Sequence, residues 1–344
     1  MKAFLSERVF ADQVALIGFV GNAHLTLCRC NDLDVQDEND VSFDTPGVVP
    51  SYASWHFLER YLRFFEVFLR IVELGYFPLK TTNLKSIDIG TGPAPCIFAL
   101  SDITAGLTEF SKTADCPGAF PPKQFFPDYV ENSGSFRQWI HHFTECANMS
   151  GSADEQVGHI AWRTPYHMGT LDDAYSINLR GMGPRHAGHK VHIVTLGNFL
   201  TEAGQANRLA HILEQSYRTL ANGGLLVITG KHRSLQDNVR DVSDLLVPLG
   251  AHDVSECDVN VAFSHSEGCA ELLRGFYAWL SDELDRLSVS ERLDSIAVNA
   301  LAEGRGVDPR PPRWNLHIFR KGRLPGGGVP SAPRSHRRCG CALR

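Results

Sequence analysis

The chain has 344 residues, enough for one large α/β domain with additions or for two small ones. Its 43% apolar and 21% charged residues provide for a buried core and exclude a fibrous or wholly disordered chain. The net charge of −6 is unevenly divided: ten Lys/Arg and one acid from Arg305 onward put that segment at +9, leaving the remainder near −15. An acidic body is no electrostatic match for nucleic acid, so a nucleic-acid partner is left only to the basic tail.

The opening "MKAFLSERVFADQVALIGFV" is a poor signal peptide, because Glu7, Arg8 and Asp12 interrupt its apolar character. No stretch reaches 18 uninterrupted apolar residues, so no membrane span is expected. Nine cysteines without regular spacing fit a reduced, cytoplasmic protein. Residues 1–50 form an N-terminal arm, expected to be partly ordered, with the acidic run "NDLDVQDENDVSFD".

Residues 51–85 are read as a helical extension. Trp55, Leu58, Leu62, Phe65, Leu69 and Val72 form one apolar stripe, and Phe57, Tyr61, Phe64, Phe68 and Ile71 a second. Between them run Glu59–Arg63 and Glu66–Arg70, both i,i+4 pairs in the favourable order. Two apolar faces mean either a helix sandwiched in a core or one that lines a pocket.

Residues 86–323 alternate short apolar strands with helices, the pattern of a doubly wound, mostly parallel α/β sheet, here predicted with seven strands. "KSIDIG" is the first strand, "CIFALSDI" the helix after it, and 105–123 an inserted loop. "QFFPDYVENS" is the second strand, "GSFRQWIHHFTECA" its helix, and 147–190 a second inserted loop holding one short strand, "HIAW". "KVHIVTLGNFL", "LLVITG", "AHDVSECDVNVAF" and "RWNLHIFRK" are the later strands, with helices between and "NGG" a turn. Residues 324–344 are a low-complexity basic tail, predicted to be disordered.

Ligands of such sheets bind at the carboxyl ends of strands. There stands "DIGTGPAP", with Asp88, Gly90, Thr91 and Gly92. Read as G-x-G-x-x-G, its third glycine is Pro95, which lacks an N–H, and Asp88 would repel a diphosphate. Read as acid-x-G-x-G-x-G, with Ala94 for the third glycine, it resembles the first motif of the class I S-adenosylmethionine-dependent methyltransferases. The order downstream is similar. Asp128 and Glu131 follow at the second strand's end, and Leu220, Gly223, Gly224 and Leu226 fit the family's pattern before the fifth strand. "NLHIFRK" resembles its antiparallel last strand. "DIGTGP" with "PDY" looks somewhat like the nicotinamide and phenylethanolamine N-methyltransferases, although their acid after the fifth strand falls near Gly230.

The resemblance implies S-adenosyl-L-methionine as cofactor and methyl transfer to an O or N atom of a small-molecule acceptor. An RNA- or ribosome-associated enzyme and a non-catalytic cofactor-binding module are the alternatives. It places Asp88, Gly90, Thr91 and Gly92 at the cofactor, with Asp128, Tyr129, Glu131 and Ser133 near the ribose. Asp128 is the preferred ribose acid and Glu131 the next; Thr195 and Leu196 would line the methionine and adenine side. Asn198 and Glu202 face the acceptor, unless Glu202 only caps the next helix. The Tyr61/Phe64/Phe68 side of the helix at 51–75, or Tyr52 and Trp55 at its start, is expected to close the pocket as an aromatic lid. No Asn/Asp-Pro-Pro-Tyr/Phe or Pro-Cys signature follows the fourth strand, which argues against nucleobase chemistry of those types. No residue is assigned as catalytic base, although His167, His186 and His189 lie in a loop that would overhang the pocket. No metal site is predicted, because the histidines lack partners at ligand spacing.

Overall fold

The computed structural model describes residue 43 and residues 48–113, 124–153, 190–255, 263–289 and 313–322. The expected N-terminal arm (apart from residues 43 and 48–50), the "HIAW" strand, the three loop histidines, the basic tail with its nucleic-acid reading, and Cys28, Cys30, Cys339 and Cys341 lie outside the described residues.

In chain order the elements are α1 (Val48–Glu73), β1 (Asn83–Ile89), α2 (Pro95–Thr113), β2 (Gln124–Val130), α3 (Gly134–Ala153) and β3 (Val191–Gly197). There follow α4 (Gln205–Arg208), α5 (Ala210–Thr219), β4 (Leu220–Lys231), α6 (His232–Leu246), β5 (Ala251–Asp253), α7 (Glu267–Val289) and β6 (Trp314–Lys321). Among the described residues the sheet has six strands, in the order β2-β1-β3-β4-β6-β5, rather than seven. β2, β1, β3 and β4 are parallel, and β6 runs antiparallel to β4 and to β5. Helices cover both faces, a doubly wound, Rossmann-like arrangement with an antiparallel last strand. Strand order reverses about β1, which puts the switch point at the glycine turn.

Side chains alternate between two cores, as the two-residue period of a strand requires. Ile87, Ile89, Val194, Leu196, Leu226 and Ile228 pack against α4, α5 and α6. Leu84, Ile193, Leu225, Val227, Leu316 and Ile318 face the layer made by α1, α2, α3 and α7. No helix among the described residues is long and apolar enough to cross a membrane.

Several boundaries differ from the sequence reading. α2 continues to Thr113, so the first half of the expected 105–123 loop is helix. α1 begins at Val48. The "NGG" stretch lies inside β4, beside a shift of register against β3, and does not form a free turn.

α1 is the largest correction. Phe57, Tyr61, Phe64, Phe65, Phe68 and Ile71 are all buried, so both stripes are core and the Tyr61 side is no lid. Tyr61 donates its hydroxyl to Asp102 of α2 at 2.5 Å. The first half of the charged stripe is covered as well, with Glu59 and Arg63 buried, while Glu66 and Arg70 are part-exposed. Arg63 meets Glu59 as expected, but Glu66 turns to His265, and Arg70 reaches Glu73 instead.

Candidate functional site

The site is built where β1, β2 and β3 end side by side. Asp88 and Thr195 are register partners, as are Asp88 and Tyr129. Asp88 is buried beneath the turn, where its carboxylate accepts the Thr91 and Thr195 hydroxyls, each at 2.5 Å. Burial pushes the carboxyl up to about 6; the Thr195 and Thr91 hydroxyls oppose the shift, and the Glu131 charge adds to it.

Gly90 and Gly92 have φ of 65° and 55°, and Ala94 holds the left-handed conformation at 60°. At Gly90 a Cβ would come within 2.5 Å of the Phe199 ring, so both conformation and space call for glycine there. At Gly92 the nearest neighbour is Phe136, 3.9 Å away, so the requirement is conformational alone. Phe199 is a site residue that sequence reasoning missed. Its only sign was an aromatic directly after "GN" at the end of β3.

The donors of the turn are already engaged. Gly90 and Thr91 donate their N–H groups to the Val130 carbonyl, at 2.9 and 3.4 Å. Gly92 donates to Glu131 Oε2 at 2.8 Å, and Ala94 to the Thr91 carbonyl at 3.0 Å. A diphosphate cradle presents such groups to the ligand. Here a carboxylate occupies that position.

Glu131 is therefore the acid that β2 presents to the glycine turn. Its other oxygen accepts from Ser133 N–H at 3.0 Å. Burial raises its carboxyl above the ordinary range, against the Ser133, Gly92 and Asn132 N–H groups and the Arg137 charge. Asp128 lies within β2, buried and paired with Ile87, two positions short of the strand's end. Ser133 accepts from Phe136 N–H at 3.3 Å, which makes it the N-cap of α3. Tyr129 and Leu196 are buried in opposite cores, so only their backbones could face a ligand at the sheet edge.

Past the end of β3, Asn198 has a φ of 52° and accepts from Arg63 at 3.0 Å. Phe64 occupies the space that a Cβ at Gly197 would need, 2.5 Å away. α1 thus reaches the site through Arg63 and Phe64. Its first turn also approaches: Tyr52 packs on Phe136 at 5.6 Å, and Phe136 is the neighbour of Gly92. The Trp55 side chain lies outside the described residues. Glu202 stands between β3 and α4. Its side chain is 70% exposed and pairs with Arg208 at 2.5 Å, while its carbonyl accepts from Gln205 N–H.

No protein-family model matches the chain, and no curated protein does. Solved structures are similar in chain path. A precorrin-6y C5,15-methyltransferase from Geobacter metallireducens is 16% identical with a TM-score of 0.33, covering 58% of this chain and 78% of that one. A phosphoethanolamine N-methyltransferase from Haemonchus contortus, bound to phosphomonomethylethanolamine and S-adenosylhomocysteine, is 13% identical with a TM-score of 0.41. That match covers 82% of this chain and 61% of the Haemonchus one. A putative S-adenosylmethionine-dependent methyltransferase from Methanococcus maripaludis is 15% identical with a TM-score of 0.34, covering 84% and 99%. These likenesses assign no residue a role; the fold assignment rests on strand order and direction.

Proposed function

We propose that the chain is an S-adenosylmethionine-dependent methyltransferase acting on an O or N atom of a small molecule. One observation carries the reading: two buried carboxylates, Asp88 and Glu131, stand at a glycine turn whose donors are engaged. Such a turn repels phosphate and favours a ligand with a sulfonium and an ammonium group. Burial weakens both carboxylates as anions, so a cation beside them recovers part of what desolvation costs.

Glu131 holds the ribose hydroxyls in this reading, because it already reaches the turn; Asp128 is the second choice. The backbone at Thr195 and Leu196 lines the methionine and adenine side. Asn198, held by Arg63, faces the acceptor, and Tyr52 with Phe136 covers the approach to Gly92.

When bound, the cofactor supplies the electrophilic methyl group. The protein's part is to align acceptor and sulfonium, to exclude water, and to take a proton where the nucleophile must lose one. The resemblance to the nicotinamide and phenylethanolamine enzymes rests on "DIGTGP" and "PDY"; with Gly230 near the position of their substrate-contacting acid, their acceptor is not carried over. A reduced, cytoplasmic setting is supported by the buried free thiols Cys96 and Cys269.

The test is a lysate incubated with methyl-labelled cofactor and the purified chain. A labelled small molecule that is lost with Glu131→Ala supports the reading. Cofactor binding without a labelled product, over a broad panel of amines and alcohols, would leave a binding module.

A further inference from the structure

Away from the glycine turn, a polar cluster is buried where α1 meets the entry to α7. Glu59 and Glu66 lie two helical turns apart on one face of α1, and His265 stands between them. His265 Nδ1 is 2.8 Å from Glu66 Oε2, and its Nε2 is 3.1 Å from Glu59 Oε1. Cys269, four residues on and buried, is a hydrogen-bond partner of His265. Nothing in methyl transfer uses this cluster.

We propose that Glu66, His265 and Cys269 bind a divalent cation of the zinc type, as a site that pins α1 to α7. Their ligand atoms all lie within 4.8 Å of one another. A carboxylate oxygen, an imidazole nitrogen and a thiolate make the mixed set that suits zinc, and three protein ligands leave a fourth position for water.

The surroundings fit a metal site in three respects. First, Glu59 takes the remaining ring nitrogen of His265, as the carboxylate behind a metal-bound histidine does, and so fixes which nitrogen is the ligand. Arg63 holds Glu59 in turn, at 2.7 Å to each carboxylate oxygen. Second, Ser266 N–H holds Glu66 Oε1 at 2.8 Å, which turns Oε2 toward His265. Third, the Glu66 side chain is 17% exposed while that of His265 is fully covered, so solvent reaches the cluster from the Glu66 side.

Charge is conserved on binding. Without the ion, two carboxylates balance Arg63 and a doubly protonated His265. With it, the imidazole and the thiol each release a proton to solvent, and the dication replaces both.

The test uses the full-length chain, stripped with a chelator and titrated with cobalt(II) alone. The expected result is one strongly bound equivalent, with a thiolate-to-cobalt charge-transfer band, d–d absorption of a four-coordinate ion, and displacement by zinc. Cys269→Ser should remove the charge-transfer band, and Glu66→Gln should weaken binding by roughly tenfold to a hundredfold. Cys339→Ser with Cys341→Ser should change neither. Where Cys269→Ser fails to fold by circular dichroism, Glu66→Gln carries the decision. No bound equivalent, or a band that persists unchanged in Cys269→Ser or binding unweakened in Glu66→Gln, overturns the proposal and leaves a buried ion-pair cluster.

Discussion

The chain buries charge in two places, and it does so in opposite ways. At the glycine turn, Asp88 and Glu131 lie close enough to repel, with Arg137 in partial compensation of Glu131, and burial drives both carboxyls upward. At the junction of α1 and α7, burial also opposes ionisation of Glu59 and Glu66. There Arg63 and His265 overcome it, and both carboxyls lie below their ordinary range. His265 is correspondingly held up to about 11, because its contacts with Cys269, Glu59 and Glu66 outweigh the penalty of burial. A cluster that compensates its own charge keeps its groups ionised within the protein. A cluster with excess negative charge at the carboxyl end of a parallel sheet is better explained by a cationic ligand.

The difference predicts opposite responses to neutralisation. Arg63→Met should be the most damaging change, because it strips compensation from a buried carboxylate. We expect a loss of about 3–5 kcal/mol, the usual result of breaking a buried pair from one side, measured by urea unfolding. A loss below about 1 kcal/mol would place the cluster in the solvent-screened class instead.

Asp88→Asn should act in the other direction. An aspartate that titrates near 3.8 when unfolded and at about 6 when folded binds its proton more tightly in the folded chain. Stability from this group is therefore highest below the lower value and falls as pH rises through the window to about 6. The gap corresponds to ~3 kcal/mol at neutral pH. The asparagine variant should lose that pH dependence and unfold at higher urea above pH 6. A wild-type chain that grows more stable across this window would contradict the reading of Asp88.

Smaller effects sharpen the site. Glu131→Ala should weaken cofactor binding by ~1.5–3 kcal/mol, the worth of a charge-assisted hydrogen bond, with Asp128→Ala the milder change. The reverse order would return the ribose to Asp128. Ala94→Gly removes a left-handed alanine and should raise stability by at most about 1 kcal/mol, since glycine also gains freedom when unfolded. A loss larger than that would show that the Ala94 methyl is needed for packing.

The turn was legible in the sequence because its signature is local. An apolar run ends in Asp88, and two glycines follow one residue apart. What was not legible comes from contacts between distant segments. Gly90 is held to glycine partly by the Phe199 ring, which no window around Gly90 contains. That Glu131 reaches Gly92 depends on where β2 ends, and a strand boundary is set by pairing with β1 rather than by its own residues. The two stripes of α1 were read correctly as stripes. Their partners on α2, α3 and α7 decided that both are core, and periodicity says nothing about partners. The cluster at His265 joins residues 199 and 206 positions apart, beyond the reach of any spacing rule.

The most direct test of the central claim is calorimetric titration of the wild-type chain with S-adenosylmethionine, S-adenosylhomocysteine and NAD under one set of conditions. A glycine turn with engaged donors and two carboxylates predicts that the first two bind and that NAD gives no heat of binding. NAD bound more tightly than either would contradict the account, because it would require the turn to release Glu131 and accept a diphosphate in its place.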